Sequence, residues 1–452
     1  MRLLRNLLLT LGCGLALAPS LAATGDPIAA GSPFTAQVSY EFAIYYADKP
    51  ARPPLQVLKE GLVASKSAPR LIDTLPRRID EAVVLARLDT DAQKDYRPPS
   101  LQSLQYFGRG LTREQAIALQ SSNTAFIVRF AHSQKQGMPA YRQSLRLIEQ
   151  VARDTKGLLW DEETREVFTA DEWRKKRIDS WEGDLPDISK HTVIHAYRSD
   201  RMVRAITLGM AKFGLPDVVV EDFSWSLNRP MGSLVNLVSQ SLGEGLVIGT
   251  QGRCDVDVKA IRHAGARTAQ STDLLPGSTG RAQLKLVQAR RDDGDPDNRL
   301  AEIRFDAQRG VDVHARQQAL ISSLYGGKDS ISYVKHDRAL TAASEAARAR
   351  LPALQKAFAQ GLAPGEYLLV KAPFATPEGG QEWMWVEVTA WSGDRITGLL
   401  KNDPFNIPTL HGGQTVTVSQ AQLFDYIRRF ADGREEGNET ARLIEQQEKA
   451  GR

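Results

Sequence analysis

His191 and His195 give the closest metal-ligand spacing in this chain of 452 residues and seven histidines. Four residues apart, two rings share a face only on a helix, whereas this segment reads as the start of a strand. No Glu stands between them in the zincin pattern, so hydrogen-bonded structural roles are expected. Asp293-Gly294-Asp295-Pro296-Asp297-Asn298 opens like a calcium loop, with carboxylates at alternate positions. Its sixth position is Asn298 where Gly is needed, and its twelfth is Arg304 where a bidentate Glu is needed, which leaves an acidic turn between strands. Cys254 lies between Arg253 and Asp255, whose charges cancel, and it reads as a buried, inert thiol. There is no Gly-x-Ser-x-Gly nucleophile turn. The glycine pairs at 326–327, 379–380 and 412–413 lack the Lys-Ser/Thr of a phosphate loop and read as turns. The basic run Arg174-Lys175-Lys176-Arg177 between Trp173 and Trp181 has the residue types of a nucleic-acid surface. Asp171, Glu172, Asp179, Glu182 and Asp184 surround it, so a solvated helix face is expected. No catalytic residue, metal ligand or cofactor site emerges from these motifs.

A different kind of feature runs from 383 to 391. Side chains alternate across a strand, so Trp383, Trp385, Glu387 and Trp391 fall on one face and Met384, Val386 and Val388 on the other. Both faces could be buried, one in a core and one beneath a helix; an open aromatic face would be a groove for an extended peptide or a glycan.

The elements that must position these residues form an α+β chain. Val38, Tyr40, Phe42 and Ile44 share one parity, as a half-buried strand requires. Residues 82–86 and 125–128 follow as buried strands, separated by a helix over 112–119 that Thr112 and Gln115 cap as a box. Tyr141, Leu145, Ile148 and Val151 have helical spacing. The pattern predicts a helix over 202–213, a strand at 218–220 and a helix over 231–242. Without a dinucleotide or phosphate fingerprint, 36–250 reads as ferredoxin-like α/β sandwich units, whose loose repetition suggests two similar halves. Residues 251–335 read as a β-rich connector or an extension of the sheet of the 36–250 region. A helix follows from 342 to 360, where Pro352 must kink it or begin a second helix.

At the N-terminus, Arg2 and Arg5, the apolar run from Leu7 to Leu17 and the small residues to Ala23 have the order of a cleaved signal peptide. The run is shorter than a spanning helix needs, and Cys13 sits in a poor lipobox. Export to the periplasm with cleavage between Ala22 and Thr24 is expected, followed by a leader over 24–35 that need not be ordered. Cleavage leaves Cys254 as the sole thiol, without an intramolecular disulfide. It also lowers the formal net charge from +4 to +2, too little to argue for nucleic acid.

The C-terminal part carries a resemblance. Its residues are the helix 342–360, Leu368-Leu369-Val370-Lys371-Ala372-Pro373-Phe374, Glu382-Trp383-Met384-Trp385-Val386, Gly393-Asp394-Arg395-Ile396-Thr397-Gly398, Asn402-Asp403-Pro404, Phe424-Asp425-Tyr426 and Gly437-Asn438-Glu439-Thr440-Ala441-Arg442. This order resembles the YegJ-like family, domain of unknown function 2314, although Trp383 and Tyr426 stand where the family tends to have His and Trp. The resemblance implies no reaction. Physically, 336–445 reads as a helix followed by a small bent antiparallel sheet or SH3-like barrel, with a closing helix at 422–430 and a tail over 446–452. Trp383, Trp385, Trp391, Lys371, Glu382, Asn402 and Asp425 are the candidate binding residues, with Asp425 capping or orienting the closing segment. The function expected is non-enzymatic binding of an envelope protein or glycan. The alternative is an envelope hydrolase whose paired carboxylates leave no linear signature.

Overall fold

The computed structural model describes residues 25–65, 68–199, 202–326, 338–377 and 379–443. The expected signal peptide and the tail over 446–452 lie outside the described residues. The chain is an α+β protein with three large sheets.

In the first sheet, β1 (Gln37–Tyr46), α1 (Pro54–Ala64), β2 (Val83–Asp89), β3 (Thr124–Ser133), α2 (Gly137–Thr155), β4 (Leu158–Asp161) and β5 (Glu166–Phe168) follow in sequence. The spatial order β2-β3-β1-β4, antiparallel throughout, is that of a split β-α-β unit, as expected of a ferredoxin-like sandwich. Tyr141, Leu145, Ile148 and Val151 turn one stripe of α2 onto this sheet. The capping box of Thr112 and Gln115 closes the start of the helix Arg113–Leu119.

The second sheet contains β6 (Val193–Ser199), β7 (Met202–Leu208), β8 (Asp217–Phe223), β9 (Arg253–Asp257), β10 (Arg281–Gln288) and β11 (Leu300–Arg304). Its order is β6-β7-β8-β11-β10-β9, with β8 and β11 parallel, so it does not repeat the first sheet. Helices α3 (Asn228–Gly243) and α4 (Val313–Tyr325) pack on it. The helix expected over 202–213 is instead β7 followed by a 3-10 turn at Met210–Phe213. Every residue of β7 is buried, and a strand covered on both faces shows no alternation by which to recognise it. Within the stretch read as a connector or a sheet extension, β9, β10 and β11 complete this sheet. The leader is also tied down, since Ile28 N–H bonds Leu286 C=O at 3.0 Å and Gln288 N–H bonds Asp26 C=O at 2.7 Å. Both sheets share one core, from Tyr40, Phe42 and Phe126 through Leu145 and Trp173 to Val203, Val218 and Leu234.

The third sheet follows α5 (Arg338–Ala359), which runs unbroken through Pro352. Strands β12 (Tyr367–Ala375), β13 (Gln381–Ser392), β14 (Arg395–Leu400), β15 (Thr415–Ser419), β16 (Asp425–Arg429) and β17 (Glu435–Gly437) lie in the order β15-β14-β13-β12-β16-β17. The sheet is open, not a closed barrel. Residues 425–429, expected within a closing helix, form β16 because they pair with Tyr367–Lys371. Ala347, Leu351 and Leu354 of α5 cover the face bearing Val370, Met384 and Val386.

Candidate functional site

The densest polar chemistry lies between the first two sheets. β4 ends at Asp161 and β5 begins at Glu166, which sets two carboxylates across one short turn. A single π-helical turn, Arg174–Ile178, swings Arg177 inward, where its Nη2 meets Asp161 at 3.0 Å and Glu166 at 2.7 Å. The turn after β7 brings the Lys212 ammonium to 2.5 Å from Asp161. Arg177 also donates to Thr164 and to the Lys190 carbonyl, and its guanidinium lies 4.7 Å from the Phe168 ring centre. The side chains of Arg177, Lys212 and Asp161 are fully buried, so the cluster is sealed from substrate. Burial raises the Glu166 carboxyl, but Arg177 and Lys176 outweigh it and hold the group down at about 2. Burial pulls the Lys212 ammonium downward against the opposing pull of Asp161.

Nearby, burial pushes the Asp217 carboxyl up to about 6 despite donors on Asn298, Met210 and Thr207. Burial likewise raises Glu163 to about 7, with Lys212 opposing. His191 sits between the Tyr141 hydroxyl at 3.0 Å and Ser180 at 3.1 Å, and burial holds its ring neutral. His195 lies apart from it, in β6.

The remaining motifs serve the fold. Arg174 grips Glu149 with two 2.7 Å bonds, Lys175 meets Glu172 and Lys176 meets Glu166, so the basic run is neutralised within the chain. Asp295 of the acidic turn holds fully buried Arg204 through two 2.8 Å bonds, a cation the protein itself supplies. Burial pushes the Cys254 thiol up to about 12, which suppresses its thiolate. Among the described residues there is no group of three or more His, Cys, Asp or Glu placed to hold a metal.

The C-terminal sheet brings some of the predicted residues together and separates others. Lys371, Trp385 and Asp425 stand in one cross-strand row, with the Lys371 ammonium 5.6 Å from the Trp385 ring centre. Trp383 is 4.7 Å from the Phe424 ring. Trp391 does not share their face. A bulge at Thr389 shifts the register between Val388 and Ala390, so Trp391 pairs with Ile396 and joins the helix-covered side against Phe358. Asp425 is buried and accepts from the Thr440 N–H at 2.8 Å and its hydroxyl at 2.6 Å, which anchors the last described segment. Glu382 accepts from the N–H groups of Phe405 at 2.7 Å and Asn406 at 3.0 Å. Asn402, at the start of that same loop, lies against Gly412. Buried Ile407 pins the loop to the module's core, and Phe405 projects from it 74% exposed.

The face carrying Trp385 turns toward the body formed by the first two sheets, the first body. Glu387 is buried and accepts from Ser224 Oγ at 2.7 Å, while Lys401 lies 3.7 Å from Glu387 and donates to Ser226. Tyr367 packs on the first body's core. Gly413 meets α4 so closely that a Cβ there would lie 2.4 Å from the His314 carbonyl oxygen. This docking escaped the sequence reading, although Glu387, a charge between two buried valines, was its visible signal.

A separate cleft of about 790 Å3 opens on the first sheet, lined by Pro50, Pro53, Pro54, Leu55 and Leu88 among others.

Residues 337–449 match the family model described as an uncharacterized protein conserved in bacteria, DUF2314. The match begins where α5 begins and spans the third sheet. No curated protein and no solved structure matches the chain. No helix among the described residues is long and apolar enough to cross a membrane.

Proposed function

We propose that this chain is an exported, periplasmic, non-enzymatic protein that binds another protein or a glycan of the cell envelope, with the DUF2314 module carrying the contact. The observation behind this reading is Phe405, a largely exposed aromatic ring on a loop whose backbone is clamped by buried Glu382 and anchored by Ile407. An exposed aromatic ring on a clamped backbone has only its two side-chain torsions left to order on binding, which suits it to be an interface hot spot. Half-buried Trp383 and Trp385, with Lys371 over the latter, extend the aromatic character of the module.

Cross-linked capture from envelope extract tests this, using the mature chain beside Phe405→Ala and the double variant Trp383→Ala, Trp385→Ala, each verified to melt as the parent does. A partner held by the parent and lost by Phe405→Ala supports the reading. A partner that Phe405→Ala retains removes the site from the loop, and capture of nothing by the parent counts against a stable protein partner and directs the search to glycans. N-terminal sequencing of the periplasmic protein tests export, with a start near Ala23 or Thr24 expected.

The second reading, a carboxylate hydrolase, draws on the raised Glu163 and Asp217 carboxyls around Lys212. Asp217 is walled in by Thr207, Met210 and Asn298, which favours the binding reading.

A further inference from the structure

An edge strand exposes unpaired backbone donors and acceptors, and proteins blunt such edges by keeping them short, charged or covered. The outer strands of the three large sheets are short in all but one case. Arg70–Leu71 and Gly108–Arg109 have two residues each, β17 three, and β9 and β15 five; β6 has seven. Its sequence, Val193-Ile194-His195-Ala196-Tyr197-Arg198-Ser199, contains no proline, glycine or lysine. Among the described residues it pairs only with β7, in regular register from Val193 opposite Leu208 to Ser199 opposite Met202, with no bulge to twist the edge away. Its one permanent cation does not guard the edge, because the Arg198 guanidinium lies 5.9 Å from the ring centre of its own chain's Trp225.

We propose that β6 is a homodimer interface, at which β6 of a second copy of this chain adds antiparallel across a two-fold axis to join the two second sheets into one. The occupant follows from the strand's self-complementarity. When the axis stands perpendicular to the sheet, residues opposite one another must point to the same face, so they differ by an even number and the axis passes between one residue and its own copy. Only Ala196, the midpoint of β6, brings all seven residues into register. There the smallest side chain of the strand meets its own copy. His195 faces Tyr197 of the other chain, an aromatic cross-strand pair, and Ile194 faces Arg198, so no two like permanent charges are opposed. The even-numbered face of the joined strands continues the packing of Ile194 and Ala196 on the core, and the odd face continues the Tyr197 cluster with Ile206 and Val219.

The test combines mass with proximity. Sedimentation equilibrium of the full chain should give a concentration-dependent dimer. In a Cys13→Ser background, where buried Cys254 is unreactive, Ala196→Cys should form an interchain disulfide under mild oxidation, since directly opposed residues are about 4.5–5.5 Å apart and within disulfide reach. Ser199→Cys is the control. Its copies would lie about 20 Å apart, so it should cross-link at least about tenfold more slowly. A monomer at all concentrations, or equal cross-linking at the two positions, overturns the proposal. So does a dimer that Ala196→Cys fails to trap, because its interface then lies elsewhere. Both replacements are small and sit on an edge; the circular dichroism and melting temperature of each variant should match the parent's.

Discussion

Two ionic clusters in this molecule use the same chemistry for different ends. Between the first two sheets, Arg177 and Lys212 meet Asp161 and Glu166 out of solvent, and Arg177, Asp161 and Glu166 each have more than one partner. Between the first body and the C-terminal module, Glu387 and Lys401 meet two serines, Ser224 and Ser226, and little else polar. The first is a knot tied through a shared core; the second is a latch on a docked surface. The strength of a charge pair thus depends less on its distance than on what else satisfies its partners once it is broken.

Removing one member of the knot should have the largest effect. Arg177→Met leaves Asp161 and Glu166 buried without their guanidinium, and should cost about 3–5 kcal/mol in denaturant unfolding, against which an equal loss in Glu387→Gln would erase the distinction. The latch comes next. Glu387→Gln should weaken docking by about 1–3 kcal/mol, read in calorimetry as separation of the module's transition from that of the first body. A single unchanged transition would make the latch part of the core.

A pH series sharpens the same contrast. Asp217 is raised from 3.8 to about 6, so the folded state holds its proton more tightly, and its contribution is complete below 3.8 and lost as pH rises through about 6. Glu166 is lowered from 4.5 to about 2, so its contribution is present above 4.5 and lost as pH falls toward about 2. Asp217→Asn should therefore flatten the decline in stability between pH 3.8 and about 6 while leaving the acid limb in place. The smallest effect belongs to the surface. Arg78 and Asp80 are 2.8 Å apart but mostly exposed, and Arg78→Ala should change stability by less than about 0.5 kcal/mol.

Local signals in the chain were legible where one face of an element meets water. β1 carried its period in its first half, where Gln37, Ser39 and Glu41 stay open while Phe42 to Tyr46 are covered on both faces; α2 carried its period plainly, and Thr112 and Gln115 announced a helix start that the structure shows bond for bond. β7 failed because both its faces are covered, and β16 because five residues flanked by turns fit either period. In the module, the shared face of Trp383, Trp385 and Glu387 followed from alternation, whereas Trp391 left it through one extra residue, Thr389, with no turn signal to mark it; the row of Lys371, Trp385 and Asp425 came only from strand pairing. Phe405 had no periodicity to betray it, since its exposure depends on Glu382, 23 residues earlier, holding the loop.

What the amino-acid order determined alone was therefore local: the α+β class, the capped helix, the strand alternation and the C-terminal motif. Tertiary structure alone decided which charges became a sealed knot, which face of the module turned inward and which aromatic stayed in solvent. The physical reason is that periodicity and capping act over a few residues, within reach of neighbours along the chain. Burial, by contrast, pairs groups such as Asp161 with Lys212 or Ser224 with Glu387, which are distant in sequence and acquire their energies only once the fold has excluded water around them.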